Sequence, residues 1–218
     1  MSAKPLRVKR IKGCVSESDA DVGRCLESQT DENSIARLNW SAYPYKPNVS
    51  FRIGHVEKEV LLKFDVAEER VRALETRTHG EVYKDSCVEF FISFDRTNYY
   101  NFEFNCIGTP HLAYGPAREH RTFLPLSLTE RLVIHSSLGT QPFAEKAGFF
   151  KWTLSVRIPV ACFAFDAIAS LSGVQASANF YKVGSGLTVP HYVTWNPIHT
   201  PTPDYHRPEF FGSVLFEH

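Results

Sequence analysis

Residues 87–106 read CVEFFISFDRTNYYNFEFNC, and this stretch decides the fold of the chain. Apolar and polar side chains alternate from residue 87 to 95 and again from 99 to 106. Such alternation is typical of β-strands with one buried face and one polar face. Residues 95–98, DRTN, are short enough to join the two strands in an antiparallel hairpin. The stretch therefore predicts two paired strands of a β-sheet.

The same alternation recurs outside this hairpin. It is clear in residues 150–158 and 174–183, and further strands are predicted near residues 49–56, 60–66, 131–138 and 212–217. No convincing amphipathic helix is found, although residues 159–165 could form one helical turn. Residues 184–190 and 197–208 are predicted loops, because their glycines and prolines would break a β-ladder.

Many strands, short turns and few helices predict an all-β fold. We expect a jelly-roll-like β-sandwich of two antiparallel sheets with few short helical turns. Its core is predicted to hold the apolar faces of the four clearest strands, namely Phe90, Ile92, Phe102, Phe104, Trp152, Leu154, Val156 and Phe180. The chain is expected to form a single domain, 1–218, in which residues 1–35 are a candidate for a loosely attached N-terminal extension.

The composition excludes several classes of protein. Hydrophobic residues make up 43% of the chain and charged residues 22%, which is enough to build a core and excludes disorder. Lys and Arg balance Asp and Glu at 24 each, so no nucleic acid and no membrane surface is expected to bind through bulk charge. The polar, basic start carries no secretory signal, which predicts a cytoplasmic protein, or an exported one if a signal peptide is missing from the sequence.

The cysteines show neither a zinc motif nor a disulfide framework. There are five of them, and no C-x-x-C spacing occurs. We expect reduced, buried thiols. Cys87 and Cys106 lie on opposite faces of the predicted hairpin and should not pair with each other.

The polar faces of the strands carry the candidate chemistry. They display Glu89, Asn101, Glu103, Asn105, Arg157, Ser177, Asn179 and Tyr181, with Tyr83, Trp195 and Tyr114 as candidate rim aromatics from flanking segments. Sugars stack their C–H faces on flat rings and pair their hydroxyls with carboxylates and amides. A shallow polar face rimmed by rings therefore suits a sugar. The residues alone leave a second interpretation open, a solvated sheet face beside core aromatics.

Five segments in order carry a resemblance to a known family. They are VYKDSCVEFFISFD at 82–95, YYNFEFNCIGT at 99–109, WTLSVRIP at 152–159, ANFYKV at 178–183 and TWNPIHTPTPDYHRPEFFG at 194–212. Together with Trp40 and residues 60–66, this pattern over residues 40–218 resembles the family 9 carbohydrate-binding modules, which are DOMON-like β-sandwiches. The resemblance implies a jelly-roll-like sandwich that binds a mono- or oligosaccharide without catalysis, and it implies a role in carbohydrate catabolism.

The resemblance also implies site residues. Tyr83, where the family has Trp, and Trp195 would flank a sugar ring, while Glu89 and Asn179 would bind hydroxyls beneath it. Trp195 would lie in a loop and contribute little to stability. Glu103 is a further candidate, although the family carries Arg on that strand, and Ser177 stands where the family has Gln. Structural calcium is common in the family and possible here, but Asp65, Asp85 and Asp95 show no calcium-loop spacing.

Three other functions stay open from the sequence. Glu89 and Glu103 could face each other at about 5 Å, the separation of a retaining glycosidase. A related sandwich could bind haem, but the single methionine, Met1, is poorly placed as an axial ligand. A protein-interaction role is equally compatible with a sandwich face, and the oligomeric state is not indicated.

Overall fold

The computed structural model describes residues 4–13 and 19–218, so Met1 and Cys14 lie outside the described residues. The strands are β1 (Leu6–Arg10), β2 (Asn33–Ser34), β3 (Arg37–Leu38), β4 (Asn48–Val56), β5 (Glu59–Ala73), β6 (Cys87–Ser93), β7 (Tyr99–Asn105), β8 (Pro110–Gly115), β9 (Thr122–Phe123), β10 (Val133–Ser136), β11 (Phe143–Pro159), β12 (Gln175–Val183), β13 (Tyr192–Thr194) and β14 (Gly212–Phe216). The helices are α1 (Asp19–Gln29) and α2 (Leu126–Thr129), with single 3₁₀ turns at Val82–Lys84, Val160–Cys162 and Pro208–Phe210.

Two sheets pack face to face. The front sheet runs β14-β12-β6-β7-β8-β9, with β13 and β3 added beside β12, and the back sheet runs β10-β11-β5-β4, with β2 beside β4. Neighbours within each sheet are antiparallel. Strand β1 pairs in parallel with both β14 and β4 and so joins the two sheets along one side. The predicted β-sandwich is confirmed, with this parallel seam as an addition.

The core lies between the sheets and follows the alternation in the sequence. All eight predicted core residues are buried at 1% exposure or less. Phe180 of the front sheet stacks on Phe51 of the back sheet, with ring centroids 3.7 Å apart. Each such side chain contributes about 1.5–3 kcal/mol when it is fully removed from water. The faces of β6, β7, β11 and β12 are therefore oriented as predicted.

The described part of residues 1–35 is built into the sandwich rather than attached loosely. Val8 of β1 is fully buried in the main core. Ile11 packs with Leu26 of α1 and Leu61 of β5 in a smaller cluster. This packing needs Gly54, because a Cβ there would lie 2.7 Å from the Ile11 side chain.

Helix α1 was not predicted from the sequence. Its buried side chains include Val22 and Leu26, one turn apart, and Gly23 lies between them. Two apolar residues one turn apart form only a narrow apolar stripe. Glycine is the residue least suited to a helix interior after proline, so the helical periodicity in this segment is weak.

The structure also corrects the expectation that all the cysteines are reduced. Cys25 in this helix is disulfide-bonded, whereas Cys87, Cys106 and Cys162 are free. None of the described helices is long and apolar enough to cross a membrane.

A buried charged cluster joins the two sheets near the end of β12. The side chains of Lys182 and Glu68 are both fully shielded from solvent and form an ion pair, with Nζ and Oε2 2.9 Å apart. The angles at this contact do not fit a hydrogen bond. Trp152 Nε1 donates to Glu68 Oε1 at 2.7 Å. Lys182 Nζ donates to His191 Nε2 at 2.8 Å. Burial, and then the Lys182 charge, lower the pKa of His191 well below its usual value, so this imidazole is neutral.

Candidate functional site

The main candidate site lies on the outer face of the front sheet. Strands β6, β7, β8 and β12 form its floor, and segments around residues 79–83, 118–123, 185–192 and 203–206 form its walls. The cavity volume is about 480 Å³. Small-molecule sites typically measure about 300–1,000 Å³. The sheet face that the sequence predicts to be open is therefore covered at its edges and forms a pocket.

Two carboxylates lie directly opposite each other on the floor. Glu89 of β6 pairs with Glu103 of β7 in the antiparallel register, and each is 3% exposed. Glu103 Oε1 accepts a hydrogen bond from Asn101 Nδ2 at 2.9 Å and lies 3.7 Å from Arg121 Nη1. Burial, and then the Glu103 charge, hold the pKa of Glu89 well above its usual value. The two carboxyls thus have different surroundings, and Glu89 favours its protonated form.

Basic side chains enter from the loops and from β8. Arg118 Nη2 donates to Asp204 Oδ1 at 2.9 Å. His111 hydrogen-bonds the Gly80 carbonyl through Nδ1 at 2.9 Å. Among the described residues, His111 Nε2 and Arg121 Nη1 are buried atoms with no hydrogen-bond partner. The pocket therefore presents polar atoms that a ligand could satisfy.

One more imidazole closes the pocket from the C-terminal side. His206 Nδ1 and the Tyr99 hydroxyl are joined by a hydrogen bond of 2.8 Å. Burial lowers the pKa of His206 well below its usual value, so the ring is neutral. The His206 backbone N–H donates to Asp204 Oδ1 at 3.1 Å. Asp204 therefore ties both this loop and Arg118 to the same wall.

Two exposed rings line the pocket. Tyr83 lies in the 3₁₀ turn after β5, is 36% exposed, and donates its hydroxyl to Glu81 Oε1 at 2.8 Å. Burial, and then this hydrogen bond, raise the pKa of Tyr83 to about 12. Phe123 is 55% exposed and stacks on His79, with centroids 4.9 Å apart and planes 10° apart. Flat apolar faces on a polar pocket suit a ligand with both C–H and hydroxyl surfaces.

Trp195 lies outside this pocket. Its ring packs edge-on against Phe180 at 5.6 Å and Phe51 at 6.1 Å, both of which are core rings. Strand β13 ends at Thr194, and the backbone N–H of Trp195 donates to the Phe180 carbonyl at 2.9 Å. This bond holds the ring beside Gly212, where any Cβ would lie 2.7 Å from it.

Asn179 also lies outside the pocket, and both its amide oxygen and its amide nitrogen are hydrogen-bonded to the backbone. Its Oδ1 accepts from the backbone N–H groups of Asn196 and Phe180, each at 2.9 Å. Its Nδ2 donates to the Asn196 carbonyl at 3.1 Å. The structure thus brings Tyr83, Glu89 and Glu103 together and does not place Asn179 or Trp195 with them.

Several pocket residues were missed from the sequence: His79, His111, Arg118, Arg121, Phe123 and His206. Most come from loops between strands, where no periodicity indicates the direction of a side chain. His111 and Phe123 lie on strands, and the register places His111 opposite Glu103, on the same sheet face. Recognising β8 as a partner of β7 could have found it.

The acidic residues considered for calcium are engaged otherwise. Asp85 accepts from Arg72 Nε and from the backbone N–H groups of Leu74 and Glu75. Asp65 pairs with Lys63, and Asp95 accepts from N–H groups of its own turn. Within residues 4–13 and 19–218, no group of three or more His, Cys, Asp or Glu side chains could hold a metal ion.

Comparison with known families matches this architecture. The model of a family described as carbohydrate-binding family 9 matches residues 24–216. The chain belongs to carbohydrate-binding family 9. A curated relative, an extracellular protein of Arthroderma benhamiae, is 25% identical over 185 residues, which cover 78% of this chain and 79% of the relative.

Solved structures share the family 9 fold. A crystal structure from Bacteroides uniformis, described as a candidate carbohydrate-binding protein, has a TM-score of 0.95 and 38% identity over 99% of this chain and 100% of the other. A family 9 module of Caldicellulosiruptor kristjanssonii in complex with glucose has a TM-score of 0.62 and 13% identity, over 98% and 96% of the chains. A structure from the same organism with cellotriose has a TM-score of 0.60 and 13% identity, over 98% and 94%. The last two, at such low identity, show the fold alone.

Proposed function

We propose that the chain binds a mono- or oligosaccharide in the pocket over Glu89 and Glu103, without catalysis. One observation carries this proposal. Two opposed, buried carboxyls lie beneath walls that carry the exposed rings of Tyr83 and Phe123. The sugar stacks on one or both rings while its hydroxyls meet the carboxyls.

The chemistry of the pocket fits hydroxyls better than an apolar ligand. A protonated Glu89 both donates and accepts hydrogen bonds, and an ionised carboxylate only accepts. Arg118 and Arg121 add donors, and the neutral imidazole of His206 adds a ring nitrogen. A sugar hydroxyl also donates and accepts, so each polar wall can be satisfied by the same kind of group.

Family membership supports a saccharide as the ligand class. The Caldicellulosiruptor kristjanssonii modules are in complex with glucose and with cellotriose. Glucose and cello-oligosaccharides are therefore the first probes. Two exposed rings could stack on the sugar. Tyr83 is the residue that the family motif indicates, and Phe123 lines the same cavity.

Isothermal titration calorimetry tests the proposal. The probes are glucose, cellobiose, cellotriose and a panel of methyl glycosides of other hexoses and pentoses. A ligand of few heavy atoms is expected to bind with a dissociation constant on the order of micromolar to millimolar. Tyr83→Ala should weaken binding roughly tenfold, the value of one lost ring contact of about 1.4 kcal/mol.

A matched control separates a pocket effect from a general one. Phe149 is 71% exposed and lies on β11 of the back sheet, so Phe149→Ala removes an exposed ring far from the pocket. Its affinity should equal that of the parent. Absence of binding across the panel, or equal loss in both variants, would refute the proposal.

Glycoside hydrolysis is the second candidate, and one observation favours it. Glu89 is buried with a raised pKa, while Glu103 has Arg121 beside it, an asymmetry expected of an acid and a nucleophile. Release of nitrophenol from aryl glycosides, abolished in both Glu89→Gln and Glu103→Gln, would establish catalysis. If the parent releases no more nitrophenol than the variant that carries both Glu89→Gln and Glu103→Gln, hydrolysis of those substrates is excluded.

A further inference from the structure

We infer that the outer face of the front sheet carries a second saccharide site, built on serine hydroxyls at the end of β6 and β12 that lies away from Glu89. A second cavity of about 400 Å³ opens there, between the β6–β7 turn and strand β14. This volume is within the range of small-molecule sites, about 300–1,000 Å³. The inference goes beyond the pocket over Glu89 and Glu103, because its ligand class follows from a different set of side chains.

Three serines form a row across neighbouring strands on the floor of this second cavity. Ser177 of β12 lies opposite Ser93 of β6 in one register and opposite Ser213 of β14 in the other. The residues next to them, such as Ala178 and Val214, are buried in the main core. Because side chains alternate along a strand, the serines face outward. The floor of the cavity is therefore lined by small side chains that carry hydroxyls.

The hydroxyl of Ser177 points to a ligand. Ser177 is 4% exposed, and its Oγ is buried without a hydrogen-bond partner among the described residues. The neighbouring Ser93 hydroxyl is engaged in the turn, where it donates to the Asn98 carbonyl at 2.6 Å and accepts from the Arg96 backbone N–H at 2.8 Å. Buried polar atoms are nearly always satisfied. The partner of Ser177 is therefore expected from a ligand in the cavity that it lines.

The lining of the cavity suits a neutral ligand rich in hydroxyls. Ser177, Ser213 and Gln175 offer groups that both donate and accept hydrogen bonds, as sugar hydroxyls do. Pro5 and Leu215 add apolar surface for C–H groups. Arg96 is the one charged residue among the described residues that line the cavity, and it is exposed. An exposed ion pair contributes little, so this guanidinium does not make the cavity an anion site.

The second cavity is separate from the pocket over Glu89. Ser93 lies four residues beyond Glu89 on β6, which is roughly 13 Å at about 3.3 Å per residue. Phe91 lies between them on the same face and is fully buried. The rings of His206 and Phe211 pack on Phe91, with centroids 5.1 Å and 6.4 Å from its own. The C-terminal segment thus divides the outer face, so a single sugar ring cannot fill both cavities.

Residue-resolved NMR titration of the complete chain tests the inference. The probes are the methyl glycosides of glucose, galactose and xylose, with inorganic phosphate as the anion for comparison. Ligands of so few heavy atoms should bind with dissociation constants on the order of millimolar. We expect at least one glycoside to shift the backbone amide signals of Gln175, Ser177 and Ser213 along a saturation curve of their own.

The position of the shifted signals separates the two sites. Shifts near Ser177 without shifts near Glu89 would support the second site and refute the proposed function of the first pocket. Shifts near Glu89 alone would support the first pocket and overturn this inference. Shifts near Ser177 with phosphate but with no glycoside would also overturn it, because the cavity would then bind anions. No shift with any probe would refute both sites.

Substitutions assign the second site to the serine row. Ser177→Ala removes only the hydroxyl and should weaken glycoside binding at the second site roughly fivefold, with the first pocket unchanged. Tyr83→Ala should show the opposite pattern. Ser50→Ala removes a strand serine hydroxyl from the outer face of the back sheet and should change neither affinity. Parental affinity at the second site in Ser177→Ala would contradict the role of Ser177.

The stability of Ser177→Ala without ligand gives a second, independent readout. A buried hydroxyl without a partner destabilises the folded chain, so its removal should leave the protein at least as stable as the parent. Urea unfolding of the parent, Ser177→Ala and Ser50→Ala measures this. A clear loss of stability in Ser177→Ala alone would show that the hydroxyl is already satisfied within the chain, and it would overturn the inference.

Discussion

Glu89 and Glu103 face each other across the β6–β7 hairpin, and both are buried on the outer side of the front sheet. Acidic residues are rarely so buried without a partner. Glu103 has an amide donor and a nearby guanidinium, whereas Glu89 has neighbouring charge and no such amide. Glu89 therefore keeps its proton at higher pH than an ordinary carboxyl does, at the place where a ligand would lie.

The raised pKa of Glu89 should make the stability of the parent depend on pH, and replacing Glu89 should remove that dependence. The folded pKa is raised above the unfolded value of about 4.3, so the contribution of Glu89 is fully present below that value and declines as pH rises toward the raised pKa. Glu89→Gln removes the ionisation and should be more stable than the parent at pH 8 by about 1 kcal/mol or more. At pH 4 the two should differ little.

Thermal melting from pH 4 to 9 without ligand measures this difference. One kcal/mol corresponds to roughly 2–4 °C in a chain of this size. Asp31→Asn, at an exposed carboxylate far from the pocket, is the control and should follow the parent. A parent and Glu89→Gln that melt in parallel across the range would show that Glu89 is not buried in the way the structure has it.

Trp195→Ala should destabilise the protein rather than abolish ligand binding. The half-buried ring packs on Phe51 and Phe180, so its removal should cost about 2 kcal/mol, below the value for a fully buried tryptophan. Urea unfolding measures the loss, and calorimetry below the transition should show parental affinity. A variant that melts like the parent but no longer binds would restore Trp195 as a sugar platform.

The buried ion pair between the sheets should be costly to break from one side. Glu68→Ala leaves Lys182 charged in the core, and we expect a loss of about 3–5 kcal/mol. The double variant Glu68→Leu with Lys182→Met leaves no buried charge and should recover most of that loss. Urea unfolding of both variants gives the comparison. A single variant that loses less than about 1 kcal/mol would mean that water reaches the cluster.

Much of the sandwich could be predicted from the sequence because one physical rule governs it. Alternation in β6, β7, β11 and β12 fixes which side chain faces the core, and the burial of Phe90 and Phe104 follows directly. Alternation no longer predicts the direction of a side chain beyond the end of a strand. Trp195 is one residue past β13, and its direction depends on a hydrogen bond to the Phe180 carbonyl that no local pattern indicates.

The pocket could be predicted only in part for the same reason. Glu89 and Glu103 follow from strand alternation, and Tyr83 from the family motif. Arg121 and His206 reach the pocket on loops whose paths depend on long-range contacts, such as the hydrogen bond between Tyr99 and His206. The burial of the two glutamates was missed because a sheet face that is polar in sequence looks solvated until the loops above it are known.

A crystal structure of the protein soaked with the tightest-binding glycoside decides whether the pocket over Glu89 and Glu103 holds the sugar. We expect a sugar ring over Glu89 and Glu103, against Tyr83 or Phe123, with a hydroxyl within hydrogen-bond distance of His111 Nε2. A sugar seated elsewhere, such as beside Trp195 or on the outer face of the back sheet, with this pocket empty, would contradict it.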